Sequence, residues 1–257
     1  LKRLIINADD FGYTRGVNAG IVHAHREGVL TSATVMANGG AFEDAARLAR
    51  ETPTLDVGCH LVLVEGRSLI TGKLLPETPR QLLIALAMRR IDVYGELRAQ
   101  IEKVIAAGIR PTHLDSHKHT HLAPSVFRIV LRLASEFGIP YVRLPLDRTV
   151  QFARLPCAMT SRYYRRLAAG YHILMTDHFL GFRLTGSLNE DTFTAALSRL
   201  PEGTTEFMCH PGFLDPELEQ APTRLKESRL REVEALTSPR ARELMTAEGI
   251  RLGSFAD

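Results

Sequence analysis

The sequence predicts an α/β fold: a single-domain, deformed or partly open (β/α) barrel of about seven or eight parallel strands over residues 1–257. Three observations predict it. Short β-like runs alternate with longer stretches of helical period, and strands separated by helices call for parallel pairing through right-handed crossovers. The length of 257 residues is within what one such barrel fills. Neither an internal repeat nor a low-complexity linker marks a domain boundary.

The elements follow in chain order. "RLIINA" (3–8) reads as a first strand, and 15–28 as a helix whose Val17, Ile21, Ala24 and His25 share a face. "SATVMA" (32–37) and "DVGCHLVLV" (56–64) are strands separated by the helical "AFEDAARLARE". Residues 93–108 carry a strong helical period ending at Gly108. "THLD" leads to a helix from Pro124 to Phe137, then "YVRL" (141–144), a helix near 158–169, "TDHFL" (176–180) and a helix near 189–199. "TTEFMC" (204–209), one or two helices and "IRLGSF" (250–255) complete the alternation. In "PRQLLIALAMRR" (79–90), Leu82, Leu83, Ile84, Leu86, Ala87 and Met88 are expected to pack on the core as a barrel helix. The alternative is a lipid-accepting groove with arginines near anionic headgroups.

With 45% hydrophobic and 24% charged residues, disordered and fibrous classes are excluded. The net charge of +3 comes without a dense basic tract, so nucleic acid is not an expected partner. No apolar stretch reaches the ~18 residues of a membrane span, and the apolar run in "LKRLIINADD" is too short for a signal-peptide core. Three cysteines, Cys59, Cys157 and Cys209, are an odd and sparse set that fits a reducing cytoplasm. A homodimer is compatible with the chain.

Polar residues gather where the β runs end: "NADD", His60, "DSHKHTH" and "HPG". In a (β/α) barrel the carboxyl ends of the strands share one face, so these four segments converge on one pocket. Asp9 and Asp10 are neighbours on an extended chain and point to opposite sides, so one can bind a metal while the other holds a proton; the alternative is a turn-and-cap pair. A histidine like His60 in an apolar strand is by itself most often a hydrogen-bonded core residue, but "THLDSHKHTH" changes its context. Asp115, His117, His119 and His121 project together if extended; if a turn begins near Ser116, His117 and His121 pair at i, i+4 instead. Either geometry presents two imidazoles to one divalent ion. His210 suits a general acid or a local turn hydrogen bond. Arg143 and Asp177 close β runs and orient a polar substrate, or form structural salt bridges, and Asp115 is a further candidate substrate contact. His23 and His25 belong to helix packing, and His113 is set aside as alternating away from the Asp115–His117 face. Cys59 and Cys209 point away from the adjacent histidines and read as buried apolar residues.

In this order, "RLIINADDFGYTRGVNAGI", "GCHLVL", "THLDSHKHTH" and "MCHPG" resemble the YdjC-like carbohydrate deacetylases over nearly the whole chain. The resemblance implies a deformed (β/α) barrel that removes N-acetyl groups from amino sugars with one divalent metal ion, Mg, Zn, Co or Mn. It implies Asp10, His60 and His117 as metal ligands, Asp9 as base and His210 as acid; the histidine spacing adds His121 as an extra or substitute ligand. "RGVNAGIVHAHREGVLTSATVMANG" and "AQIEKVIAAGIRPTHLDSHKHTHLAP" look most like the subgroup associated with hopanoid biosynthesis. That likeness implies an N-acetylglucosaminyl hopanoid, a glycolipid, as substrate, with peripheral membrane contact. A metal-dependent sugar isomerase or phosphoester hydrolase, and a non-catalytic carbohydrate-binding protein, are the alternatives, separable by acetate release.

Overall fold

Alternation of apolar and polar residues along every strand sets the architecture of the computed structural model, which describes residues 1–146 and 154–257. Strand β1 (Lys2–Phe11) is followed by α1 (Arg15–Arg26), β2 (Ser32–Val35), α2 (Phe42–Glu51) and β3 (Asp56–Leu61). A long connection carrying α3 (Pro79–Ala87) and α4 (Val93–Ala106) leads to β4 (His113–Ser116), a 3₁₀ turn (His117–Leu122), α5 (Pro124–Phe137) and β5 (Tyr141–Val142). Then come α6 (Arg154–Gly170), β6 (His178–Leu180), α7 (Glu190–Leu197), β7 (Gly203–Cys209), α8 (Pro216–Gln220), α9 (Glu227–Thr237), α10 (Pro239–Ala247) and β8 (Arg251–Leu252).

Seven parallel strands pair in the order β5-β4-β3-β2-β1-β7-β6, which is sequence order around a curled half-barrel. Among the described residues β5 and β6 do not pair with each other; a single parallel bridge joins Tyr141 of β5 to Leu174, ahead of β6. The expected eighth strand, β8, pairs with β1 at Arg3 and Leu4, before β2 begins its own pairing at Asn7. It therefore covers the start of β1 and does not close the barrel.

Leu4, Ile6 and Ala8 of β1, Cys59 and Leu61 of β3, and Phe207 and Cys209 of β7 share one apolar core with helix residues such as Ile21, Leu97 and Phe127. The alternate positions, Asn7, Asp9, His60, Asp115 and Glu206, are equally buried inside the barrel, where Asn7 bonds to Asp9, His60 to Asp115, and Arg143 to Asp115 and Glu206. His113 belongs to this interior and is corrected from the expectation that it turns away. A strand repeats every two residues, so His113 shares a side with Asp115, and its Nε2 lies 2.9 Å from Asn7 Oδ1. Gly58 makes the space, because a Cβ there would stand 2.6 Å from the His113 ring.

The 79–90 stretch also departs from expectation. Helix α3 buries Leu82, but Leu83, Ile84 and Met88 are 57%, 58% and 54% exposed. Apolar residues fill nearly every position of this run, and a short helix can turn only one face inward.

The start of α1 ties the first strand to its neighbours. Thr14 caps it by accepting from the Val17 N–H at 3.2 Å. Asn18 accepts from the Gly12 N–H at 2.6 Å and donates to the Ala41 carbonyl at 3.1 Å, pinning the turn that follows β1. One turn on, Gly20 packs against the segment after β7, where a Cβ would fall 2.5 Å from Gly212 Cα. Gly20→Ala must push this backbone away and is expected to cost about 1–3 kcal/mol, as overpacking does. At about 2–4 °C per kcal/mol for a chain of this size, the thermal midpoint drops by several degrees in a circular-dichroism melt. An unchanged midpoint would show that the contact has slack.

Candidate active site

The pairing of β1 with β2 slips between Ala8 and Phe11, and Asp10 adopts φ 68°. A left-handed residue in a strand is uncommon outside glycine, though aspartate tolerates it better than most. The bulge cancels the expected divergence of neighbouring side chains, so Asp9 and Asp10 line the same cavity of about 620 Å³. His60, His117 and His210 line it as well.

Ligand atoms of Asp10, His60 and His117 lie within 4.8 Å of one another. Asp10 Oδ1 is 3.5 Å from His60 Nε2 and 3.2 Å from His117 Nδ1, and it is buried without an acceptable hydrogen bond among the described residues. A buried carboxylate oxygen in that state is costly unless a proton or a cation completes it. One carboxylate and two imidazoles form an N/O donor set suited to a divalent ion, so the residues present fit a metal.

The two imidazole rings are oriented from behind. His60 Nδ1 lies 2.7 Å from Asp115 Oδ1 and 3.3 Å from Thr34 Oγ1, which leaves Nε2 aimed at Asp10. His117 Nε2 lies 3.1 Å from Glu65, which also pairs with Lys118. Burial alone would lower the His117 pKa, but the carboxylates of Asp10 and Glu65 raise it to about 9. Helix α4 holds the loop that delivers Glu65: Gln100 brackets the Val62 N–H and carbonyl at 2.8 Å each, and Glu96 accepts from the Leu69 N–H at 3.0 Å.

His121 is not brought to this cluster. Left-handed Lys118 and His119, both at φ 52°, swing the chain so that neither the extended nor the i, i+4 arrangement forms. Instead His121 Nδ1 meets Ser116 Oγ at 2.6 Å and Nε2 meets the Arg143 carbonyl at 3.0 Å. His119 lines the cavity beside Phe182.

Arg143 lies behind the cavity wall. It is 2% exposed and grips Asp9 with a two-pronged fork at 2.7 and 2.8 Å, Asp115 at 2.7 Å and Glu206 at 2.7 Å. Asp115, also fully buried, turns to Arg143 and His60. Asp177 stands at the opposite end of the sheet. It precedes β6 and accepts from the Thr204 N–H at 2.8 Å near the start of β7, whereas the cavity is at the strands' carboxyl ends. The polar face of "TDHF" begins a strand here and does not close one.

Burial would raise the Asp9 pKa, but Arg143 and His60 hold it well below the usual carboxylate range. Burial pushes His210 down to about 4. The His210 N–H donates to Glu232 at 2.6 Å, and its Nδ1 is buried without a partner among the described residues. Sequence reasoning missed Glu65, Glu206, Arg229 and Glu232. Glu206 carried a signal, a lone charge inside the apolar run "TTEFMC". Arg229 and Glu232 sit in a charge-rich helix and Glu65 in a loop, where a charged residue is ordinary.

A curled (β/α) half-barrel with a carboxylate and imidazole centre at its strand ends defines a class of protein by architecture and site chemistry. Residues 3–247 match the model of the YdjC-like protein family, and the chain belongs to that family. It is 37% identical over 258 residues to a carbohydrate deacetylase of Geobacillus stearothermophilus, covering 98% of this chain and 96% of that one. It is 35% identical over 266 residues to a chitooligosaccharide deacetylase of Citrobacter koseri, covering 100% and 99%. An Enterococcus faecalis V583 protein, crystallised as a proposed cellobiose-phosphate cleavage protein, superposes with a TM-score of 0.82 at 29% identity over 99% of this chain and 98% of its own.

The setting of His121 yields a pH prediction. Burial pushes its pKa down to about 3, against an ordinary value of 6.5. The unfolded chain therefore binds the proton more readily, and the stability that neutral His121 contributes above pH 6.5 is lost as pH falls from there toward 3. His121→Gln, neutral throughout, is expected to flatten the fall in urea-unfolding free energy across that window. An equally steep fall in the variant would mean that other groups carry the acid sensitivity.

Proposed function

We propose that this protein is a metal-dependent carbohydrate deacetylase that hydrolyses the N-acetyl group of an amino sugar and releases acetate. The observation that carries the reading is the buried, unsatisfied Asp10 Oδ1 facing two imidazoles, on one cavity wall with Asp9 and His210. The 37% identity to a carbohydrate deacetylase supports it. The isomerase, phosphoester hydrolase and non-catalytic readings have no comparable support.

Asp10, His60 and His117 would hold the divalent ion, Mg, Zn, Co or Mn. Bound there, such an ion supplies Lewis acidity that polarises a carbonyl and acidifies water. Asp9 orients the attacking water and takes its proton. Held so low by Arg143, its carboxylate is a weak base toward ordinary water. Asp9 Oδ1 accepts from Asn7 as well as from the Arg143 fork, so Oδ2 keeps the free lone pair, its direction fixed by that fork. His210 begins neutral, so the proton that Asp9 takes from the water is the one it relays to the departing sugar nitrogen, which leaves Asp9 ionised and His210 neutral again. Acetate and a free amine remain.

The finer reading is a lipid-linked substrate, an N-acetylglucosaminyl hopanoid, approached by peripheral contact with a membrane. It is supported by the exposed Leu83 and Ile84 of α3 and Met88 just after it, and by exposed Arg80, Arg89 and Arg90 around them. No helix among the described residues is long and apolar enough to cross a membrane. A reducing, cytoplasmic setting is supported by Cys59 and Cys209, both buried as free thiols.

Two experiments test this. Asp9→Asn is expected to retain bound metal while acetate release from N-acetylated sugars falls about 10²–10⁴-fold, and His117→Ala to lose stoichiometric metal. Full turnover in Asp9→Asn, or full metal content in His117→Ala, would overturn the assigned roles. For the lipid reading, Leu83→Glu should lower turnover of a lipid-linked N-acetylglucosamine far more than that of a short soluble analogue. Equal losses on both, with a dimer converted to monomer in light scattering, would reassign the face to a homodimer contact.

A further inference from the structure

Arg229 of α9 is buried and reaches Asp10 across 219 residues of sequence, with Nη2 2.6 Å from Asp10 Oδ2. Its other donors are committed to backbone: Nε to the Leu225 carbonyl at 3.2 Å and Nη1 to the His210 carbonyl at 3.4 Å. The guanidinium lies over the Tyr13 ring at 5.8 Å. Leu225, His210 and Tyr13 all line the cavity. Arg229 thus fixes one oxygen of Asp10 relative to the cavity wall and leaves the other, Oδ1, facing His60 and His117. A carboxylate with two free oxygens can chelate an ion through both. One whose Oδ2 is held by a charge-assisted hydrogen bond presents a single donor in a set direction.

We propose that Arg229 is a positioning residue that makes Asp10 a one-oxygen metal ligand. The inference rests on reading Asp10, His60 and His117 as the metal ligands. Charge alone would act in the opposite direction, because a guanidinium beside a ligand repels a cation and its removal would tighten binding. Positioning predicts weaker binding, since partners that orient metal ligands carry about 10–100-fold of affinity.

The test is titration of the full metal-free chain with Co²⁺, followed by calorimetry and by visible absorption, which reports coordination number. Circular dichroism checks folding. Arg229→Gln is expected to bind Co²⁺ at least about 10-fold more weakly than the parent, with a weaker absorption band as Asp10 chelates through both oxygens. Arg229→Lys keeps the charge but its compact ammonium cannot reproduce the planar fork that spans Asp10 and the two carbonyls, so an intermediate loss of about 3-fold is expected. A folded Gln variant with parent-like or tighter binding overturns the proposal and leaves Arg229 a stabiliser of α9. If the Gln variant does not fold, Lys decides: an intermediate loss with a changed band supports positioning, and parent-like affinity and band overturn it. A parent chain that binds no Co²⁺ overturns the ligand reading itself, and this inference with it.

Discussion

Arg143, just beyond β5, donates to Asp9 of β1, Asp115 of β4 and Glu206 of β7, with contacts of 2.7 Å to each and no exposed side-chain surface. One guanidinium thereby joins four strands at the polar end of the barrel interior. Left alone in that interior, any of these charges would cost several kcal/mol. The fork geometry of arginine lets a single cation satisfy three directions at once, which a lysine ammonium on a flexible stem would do less well. The site's precision follows from this, because Asp9 is aimed by Arg143 directly and His60 through Asp115.

The network is also unbalanced. Three acids face one arginine, and the excess negative charge is relieved in part by Glu206, which burial raises to about 7 against the pull of Arg143. His60 contributes too: burial alone would lower its pKa, but Asp115 and Asp9 raise it. An interior of this sign, with Asp10 Oδ1 left unsatisfied at its mouth, favours a cation there. Asp10 is placed by strain: its left-handed φ breaks the alternation of β1 at the one point where two adjacent carboxylates must share a cavity. Glu65, Lys118 and His119, which line the rim, are left-handed as well.

Much of this was legible in the chain. The alternating β and helical periods gave the half-barrel, and Pro124 to Phe137 forms a helix over the range its proline start and apolar period predict. Strand ends carrying Asp10, His60, His117 and His210 do meet in one cavity. The failures have specific physical causes. His113 was misassigned by parity, since it shares the two-residue repeat of Asp115. His121 was grouped with His117 by spacing, but two left-handed residues between them send the rings to different partners. Arg143 is a different case: a lone arginine at a strand end is compatible with a substrate contact or a structural salt bridge, and its three buried ion pairs match the second reading.

The sequence by itself determined the class of fold and the segments that supply the chemistry, because strand and helix periods and the placement of polar residues at strand ends are local properties, readable within a dozen residues. Only the tertiary structure decided which carboxylate faces the paired imidazoles of His60 and His117, which arginines stand behind it and which histidine is left out. Those outcomes depend on the Asp10 bulge and on ion pairs such as Arg143 with Asp9 and Arg229 with Asp10, 134 and 219 residues apart. The exposure of α3 was decided the same way. An apolar run fixes how much surface is available to bury, but whether a neighbour covers it depends on what the rest of the chain brings alongside.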